Sequence, residues 1–530
     1  MLREFNIAGI CVPNMHYMVD ISEKVEKIFK MVEGAKYFTI NRGRQYGKTT
    51  TIGRLRKRII DDGNYICASI SFQYGTQKMF ADDEGFCQGL LKIIHRALLV
   101  THPEEAKFWL DESVSDFIEL DYFISERCIG KKVVLIIDES DEASNNELFV
   151  RFLKMLRDKY LIRNAGDYFT FHSVILAGVY DIRNLKQKMI LSGKYTPSNG
   201  ESMMNSPWNI AVDFDIDMSF SAKDIETMLV EYENDHHTGM NISEIAQEIR
   251  SYTNGYPYLV SRICWLIETR LDRNWTLEGV HETIKLILVE ESTLFDDLFK
   301  KIEENKKLSD LLYDLAVGRI QYPYNVDDPT MKFGIMFGFL SKETDGLKIH
   351  NRIFEIRIAD YFVAKNLRNW REQEIAQSPM YEIIHNGVFD MEKCLTKFKK
   401  HYAEIYTGKD IKFLERDGKL IFLTYLKPLI NGKGFYHFEP QTRDHGRIDL
   451  VVDYLKQQFI LEMKIWYGDS RHEEAYDQLT GYLTSKNKDR GYLLTFDFRK
   501  TPDDSFAENR WIDWNGKQIF DVVLRVGDGV

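Results

Sequence analysis

The sequence predicts an α/β fold built in several domains, and three observations carry that prediction. Apolar strands alternate with helical segments over residues 35–180, which reads as βαβ units and hence a parallel sheet. A helical stretch with one hairpin then runs to residue 372. A second strand-rich block, again α/β, fills residues 381–530. At 530 residues the chain has length for roughly three or four cores.

Each element follows from its residues. "AKYFTI" is a buried strand, "NRGRQYG" a loop, "KTTTIGRLRKRII" a helix and "YICASISF" the next strand. "KKVVLIIDES" and "FHSVILAGV" are further apolar strands, and "NNELFVRFLKMLRDKYL" between them has helical spacing. "SAKDIETMLVEYEND" opens with a capping Ser and acids in its first turn. Two helices flank a break at Gly255-Tyr256-Pro257. "GFLSKETDGLKIHN" reads as a hairpin turning at Thr344-Asp345-Gly346, and helices followed by a hairpin suggest a winged helix. That region serves either as packing between domains or as a nucleic-acid dock. The polar stretch 366–380 marks a boundary. Beyond it we expect a helix at 381–406, a helix or strand at 418–430, strands through "FYHFEP", "GRIDLVVDYL" and "QFILEMKIW", a helix at 470–487 and a strand in "RGYLLTFDF".

Composition narrows the function classes. Apolar residues at 44% and charged residues at 28% fit a folded chain rather than a disordered one. Six scattered cysteines form no CxxC pair, so neither a zinc site nor a disulfide framework is expected. No apolar run approaches the ~18 residues of a membrane span, and "MLREFNIAGICVPN" lacks the features of a signal peptide. The expectation is a cytoplasmic protein with no membrane partner. A formal net charge of −11 argues against coating nucleic acid through bulk electrostatics, although a local basic face remains open.

Two strand-end motifs carry the first chemistry. "INRGRQYGKTT" ends like a phosphate loop in Gly47-Lys48-Thr49, with Thr50 continuing the hydroxyl-bearing helix start. Arg42 stands where G-x-x-x-x-G-K-[ST] has its first glycine, and Gly43 supplies flexibility one position later. Such a loop offers backbone N–H groups to an anion, a lysine to the terminal phosphates and a hydroxyl to Mg²⁺. The apolar strand ending in Asp138-Glu139 supplies the second half: an Asp for the Mg²⁺ shell and a Glu to polarise the attacking water. The expected cofactors are therefore ATP and Mg²⁺.

The C-terminal block holds the second chemistry. Asp449 and Glu462-Met463-Lys464 fall on two apolar segments joined by a short turn near Leu455-Lys456. Side chains alternate along a strand, so Glu462 and Lys464 share a face, and the spacing suits antiparallel partners that bring Asp449 to Glu462. Two carboxylates suit Mg²⁺, and a neighbouring lysine can orient or deprotonate water. E-x-K alone is common on solvated sheet faces; G-R-x-D, the spacing and the flanking strands are what raise it. Gln478 and Tyr482, four apart, share one face of the following helix.

Taken together, "RGRQYGKTT", "VVLIIDESD", "VILAGVYDI", "NGYPYLVSRI" and "HGRIDL…LEMKIW" resemble bacterial proteins that fuse an AAA-ATPase-like domain to a C-terminal PD-(D/E)XK nuclease domain. The ATPase part is similar to the STAND and origin-recognition branch of the AAA+ class. The resemblance implies a P-loop ATPase domain at 1–215, a helical lid at 216–295, a winged-helix-like region at 296–372 and a nuclease-like domain at 381–530. It implies that Asp449, Glu462 and Lys464 cut a phosphodiester, with Gln478 and Tyr482 accessory. Glu439 is either a further metal-side acid or a surface acid. It also places Gly255 and Pro257 near the nucleotide base and Asp181 and Arg183 at a sensor position. The implied function is an ATPase with a Mg²⁺-dependent nuclease cleaving nucleic acid, DNA foremost, under nucleotide control. Competing readings are a nucleotide-switched binding module with an inactive nuclease fold, and a sensor acting as a homo-oligomer. His236-His237 reads as solvated, and "KFKKHY" as an exposed basic helix face.

Overall fold

A computed structural model describes the chain except residues 1–2, 75–77, 112, 141–145, 167, 179–207, 209, 319, 345, 371–382, 386, 406–414, 431–432, 439–447, 467, 498–507 and 526–530. The chain forms two compact units, Met1–Thr283 with Lys332–Gly338, and Ile284–Met331 with Phe339–Val530.

The first unit opens with two short parallel strands, β1 (Glu4–Phe5) and β2 (His16–Tyr17), then α1 (Ser22–Glu33). It continues through β3 (Tyr37–Asn41), α2 (Lys48–Asp62), β4 (Ile66–Ser71), α3 (Asp83–Leu99), α4 (Pro103–Ala106), α5 (Phe117–Cys128), β5 (Val133–Asp138), α6 (Glu147–Ala165) and β6 (Ser173–Gly178). These last four strands, β3 to β6, make an all-parallel sheet in the order β3-β6-β5-β4. Their near-continuous apolar character follows from having both faces covered. Leu135, Phe152, Phe171 and Trp208 are fully buried in one core around them. Parallel pairing brings the carboxyl ends of β3 and β5 to one edge of the sheet, where loops carry chemistry in such folds.

Four helices follow: α7 (Ala222–His236), α8 (Ile242–Thr253), α9 (Pro257–Arg270) and α10 (Leu277–Val289), the last of these belonging to the first unit only as far as Thr283. Ser221 and Asp224 form a reciprocal capping box on α7, as the sequence predicts. Asn254 and Gly255, both left-handed at φ 48° and 70°, stop α8, and Pro257 starts α9. His236 differs from expectation. Its ring stacks on Tyr232 at 4.3 Å, in an aromatic cluster with Tyr17, because α7 turns this position toward β2.

The second unit contains α11 (Thr293–Glu304), α12 (Lys306–Ala316), α13 (Pro329–Met336) as far as Met331, and an antiparallel hairpin of β7 (Leu340–Glu343) and β8 (Gly346–Ile349). Then come α14 (Arg352–Trp370), β9 (Ile384–His385) and β10 (Val388–Phe389). Those last two strands form a small antiparallel hairpin where a helix from 381 is expected; Gly387, at φ 79°, supplies the turn. The helix begins only at α15 (Met391–Ile405). Its Phe398 and Tyr402 are buried, so "KFKKHY" is a packed element with a basic edge. The ambiguous segment is helical, α16 (Glu415–Ile430).

A six-stranded mixed sheet completes the unit: β11 (Gly434–His437), β12 (Leu450–Tyr454), β13 (Gln457–Ile465), β14 (Arg490–Asp497), β15 (Arg510–Trp514) and β16 (Lys517–Arg525), with α17 (Asp469–Ser485) after β13. The order is β11-β12-β13-β14-β16-β15. Strands β11 to β13 pair antiparallel, β13, β14 and β16 parallel. Strands β15 and β16 have no counterpart among the elements expected from the sequence. Among the described residues no helix is long and apolar enough to cross a membrane.

Candidate nucleotide cavity and carboxylate centre

The loop after β3 ends at Gly47, whose φ of 76° sets the N-cap of α2. Lys48 follows, and its Nζ donates to the carbonyls of Arg42 and Gly43 at 2.7 and 2.8 Å, folding the amine over the loop. Thr50 Oγ1 accepts from the Cys11 amide at 3.2 Å. Gly47, Lys48, Thr49 and Thr50 line a cavity of about 560 Å³ together with Glu139, Pro257 and the chain around Asn6–Gly9. That volume lies within the range of small-molecule sites.

Arg42 does not face this cavity. Its guanidinium donates to the carbonyls of Asn41 and Ile216, each at 2.9 Å, and lies over the Phe214 ring at 5.4 Å. It works as a tether between the loop and a distant segment. Gly43 is demanded by packing, since a Cβ there would stand 2.3 Å from the Phe337 carbonyl oxygen.

Across the sheet edge, Asp138 pairs in register with Ser71. Asp138 Oδ1 accepts from the Glu139 amide at 2.9 Å. Glu139 sits at φ 52°, a left-handed conformation costly for a non-glycine residue, and its Oε2 lies 3.4 Å from Ser71 Oγ. Glu139 reaches the cavity, whereas Asp138 is not among the lining residues.

The Gly255-Tyr256-Pro257 element braces the loop. Tyr256 OH donates to the Arg44 carbonyl, its ring meets Tyr46 edge-on at 4.7 Å, and Pro257 packs 3.7 Å from where a Gly47 Cβ would lie. Gly255 is required for another reason: a Cβ would stand 2.0 Å from the Phe220 oxygen. Pro257 lines the cavity; Gly255 does not. Asp181 and Arg183 lie outside the described residues. The bracing role of Tyr256 carried no local sequence signal.

In the second unit, Leu450 pairs with Leu461, so Asp449 and Glu462 stand opposite each other at the ladder's end. Both are buried. Glu462 Oε2 accepts from the Asp449 amide at 3.1 Å, and Asp449 Oδ2 accepts from the Met463 amide at 2.9 Å. Lys464 Nζ lies 2.7 Å from Glu462 Oε1, an ion pair not aligned as a directed hydrogen bond. A residue not expected from the sequence completes the group: Lys419 of α16 donates to Asp449 Oδ1 at 2.7 Å. Its only sequence trace is a lysine opening the apolar run "KLIFLTYL".

Electrostatics splits the two acids. Burial first, then the Asp449 charge, push the Glu462 carboxyl up to about 8. Burial raises Asp449 as well, but the Lys419 and Lys464 ammoniums outweigh it and leave that carboxyl below its ordinary value. Tyr482 is buried in a cluster with Ile448, Val451 and Leu479, while Gln478 is half-buried on the same helix. Glu439, Gly446 and Arg447 lie outside the described residues.

The two sites differ in how they suit Mg²⁺. The Thr49 hydroxyl lines the cavity, and the Asp138 carboxylate stands at the end of β5 next to the lining residue Glu139; both are oxygen donors, the class that Mg²⁺ takes. As arranged, the Asp449–Glu462 pair does not fit the ion. Lys419, the Met463 amide and the Asp449 amide use three of the four oxygens, leaving Glu462 Oε1 as the one without a directed hydrogen bond. No group of three or more His, Cys, Asp or Glu side chains able to hold a metal occurs among the described residues.

No family model matches the chain, and no curated protein matches it. Among solved structures it is similar to the Walker-type ATPase PABY2304 of Pyrococcus abyssi at 12% identity, covering 67% of this chain and 99% of that one, with a TM-score of 0.45. The ORC2 protein of Aeropyrum pernix, in ADPNP–ADP complexes, gives 11% identity, 65% and 94% coverage and a TM-score of 0.36. Cdc6p from Pyrobaculum aerophilum gives 14% identity, 67% and 96% coverage and a TM-score of 0.31.

Proposed function

We propose that this chain binds and hydrolyses ATP with Mg²⁺ at the loop of Lys48, and that the nucleotide controls a C-terminal nuclease-type domain acting on nucleic acid, DNA foremost. The observation that carries the first half is that Lys48, Thr49 and Glu139 line one cavity of nucleotide size. The amides at the start of α2 and the Lys48 ammonium would hold the phosphates. To do so, Lys48 must exchange its Arg42 and Gly43 carbonyls for phosphate oxygens. Thr49 and Asp138 would hold the metal, which supplies charge neutralisation at the phosphates. Glu139 would orient and polarise the attacking water.

A fluorescent ATP analogue tests this. Lys48→Ala should lose at least about tenfold in affinity, since a direct charged contact is removed. Glu139→Gln should bind as the parent does while hydrolysis falls about 100-fold or more. Equal binding by the parent and Lys48→Ala would remove the reading.

For the second half, the meeting of Asp449, Glu462 and Lys464 supports phosphodiester cleavage. The Lys419 ion pair favours the other reading, a nuclease fold that binds without cutting. Plasmid incubated with Mg²⁺, with and without ATP, separates them: cleavage lost in Lys464→Ala supports the enzyme, and binding without cleavage under every condition supports the module. Size-exclusion chromatography with and without ATP tests whether a homo-oligomer forms.

A further inference from the structure

We propose that Lys419 is a built-in cation that closes the Asp449–Glu462 pair to divalent metal, so that an ion enters only when this ammonium leaves. The inference rests on the reading of that pair as a nuclease-type carboxylate centre.

Charge balance and burial carry it. Two buried acids face two ammoniums, Lys419 on Asp449 and Lys464 on Glu462, each at 2.7 Å, so even with both carboxyls ionised the group carries no net negative charge. A divalent ion added to it would leave two uncompensated positive charges in a water-poor site, which is strongly unfavourable. One ammonium must therefore withdraw for each charge gained. Lys464 can do so, because its side chain is 34% exposed at the strand end. Lys419 cannot turn to solvent in place, because its side chain is only 3% exposed.

Packing fixes Lys419 there. Its neighbour Gly418 lets α16 approach β14 so closely that a Cβ would sit 2.7 to 2.9 Å from the Phe496 ring. Removing Lys419 from Asp449 thus requires α16 to shift against the sheet. A movement of that helix would open the carboxylates, and its return would close them.

The experiment is Mn²⁺ binding to the full chain without nucleotide, read by the electron paramagnetic resonance of free Mn²⁺, so it does not depend on cleavage. Lys419→Gln, neutral and of similar length, should bind one Mn²⁺ at least about tenfold more tightly than the parent, because a like charge is removed from the ion's position. The gain should vanish in Lys419→Gln/Asp449→Asn, and Lys419→Arg, which keeps the charge, should show none. A lysine that is merely structural would change the melting temperature without raising Mn²⁺ affinity. Parent and Lys419→Gln binding Mn²⁺ equally, or Lys419→Arg gaining as much as Lys419→Gln, overturns the proposal. Tight Mn²⁺ binding by Lys419→Gln with no plasmid cleavage would remove the nuclease reading and leave the closure standing.

Discussion

The Tyr256 hydroxyl donates to the carbonyl of Arg44 at 2.5 Å, joining residues 212 positions apart. The bond fixes the middle of the loop between β3 and α2 from the segment that opens α9. Tyr256→Phe keeps the ring against Tyr46 and removes only this bond. The expected loss is about 1 kcal/mol, or about fivefold in nucleotide affinity if the tether pre-forms the loop. Titration with a fluorescent nucleotide measures it; unchanged affinity would show that the loop holds its shape unaided.

Arg42→Gly would restore the usual first glycine of the loop motif, and we expect it to harm the protein. It removes two hydrogen bonds to the Asn41 and Ile216 carbonyls and the contact with Phe214, and adds backbone freedom. A loss of about 2 kcal/mol in chemical denaturation is expected. A gain in stability or in ATP affinity would contradict the tether.

Two glycines near the loop should respond oppositely to alanine. Gly43→Ala drives a Cβ into the Phe337 backbone and should cost about 1–3 kcal/mol. At Gly53, inside α2, an added Cβ would meet nothing within 4 Å, and the same change should gain about 0.5–1 kcal/mol. Denaturant melts of both variants decide the matter, and a shared sign would refute the packing account.

Glu462 predicts a pH dependence of stability. Its carboxyl is raised from 4.5 to about 8 in the folded chain, so between those values the folded state holds a proton that the unfolded state has released. Stability contributed by this group is therefore present at low pH and falls as pH rises through that window. Asp449, held below its ordinary 3.8, acts with the opposite sign and outside the window. Glu462→Gln should melt progressively higher relative to the parent as pH climbs from about 4.5 to about 8. A difference that stays flat across the window would reject the raised carboxyl.

What the sequence settled by itself was local. The capping Ser221 with acids in the first turn, the break at Gly255-Tyr256-Pro257, the apolar strands and the Gly47-Lys48 helix start all depend on neighbours a few residues away. The convergence of Asp449 on Glu462 was legible for the same reason: strand alternation and one tight turn at Leu455 fix their register. Only the tertiary structure decided that Arg42 reaches Ile216, that Tyr256 holds Arg44, that Lys419 enters the carboxylate pair and that β16 inserts beside β14. Each of these joins distant parts of the chain through a bond or pairing that leaves no periodic mark in the sequence. They depend on how close a helix or strand can pack, which side-chain volume across the whole core determines.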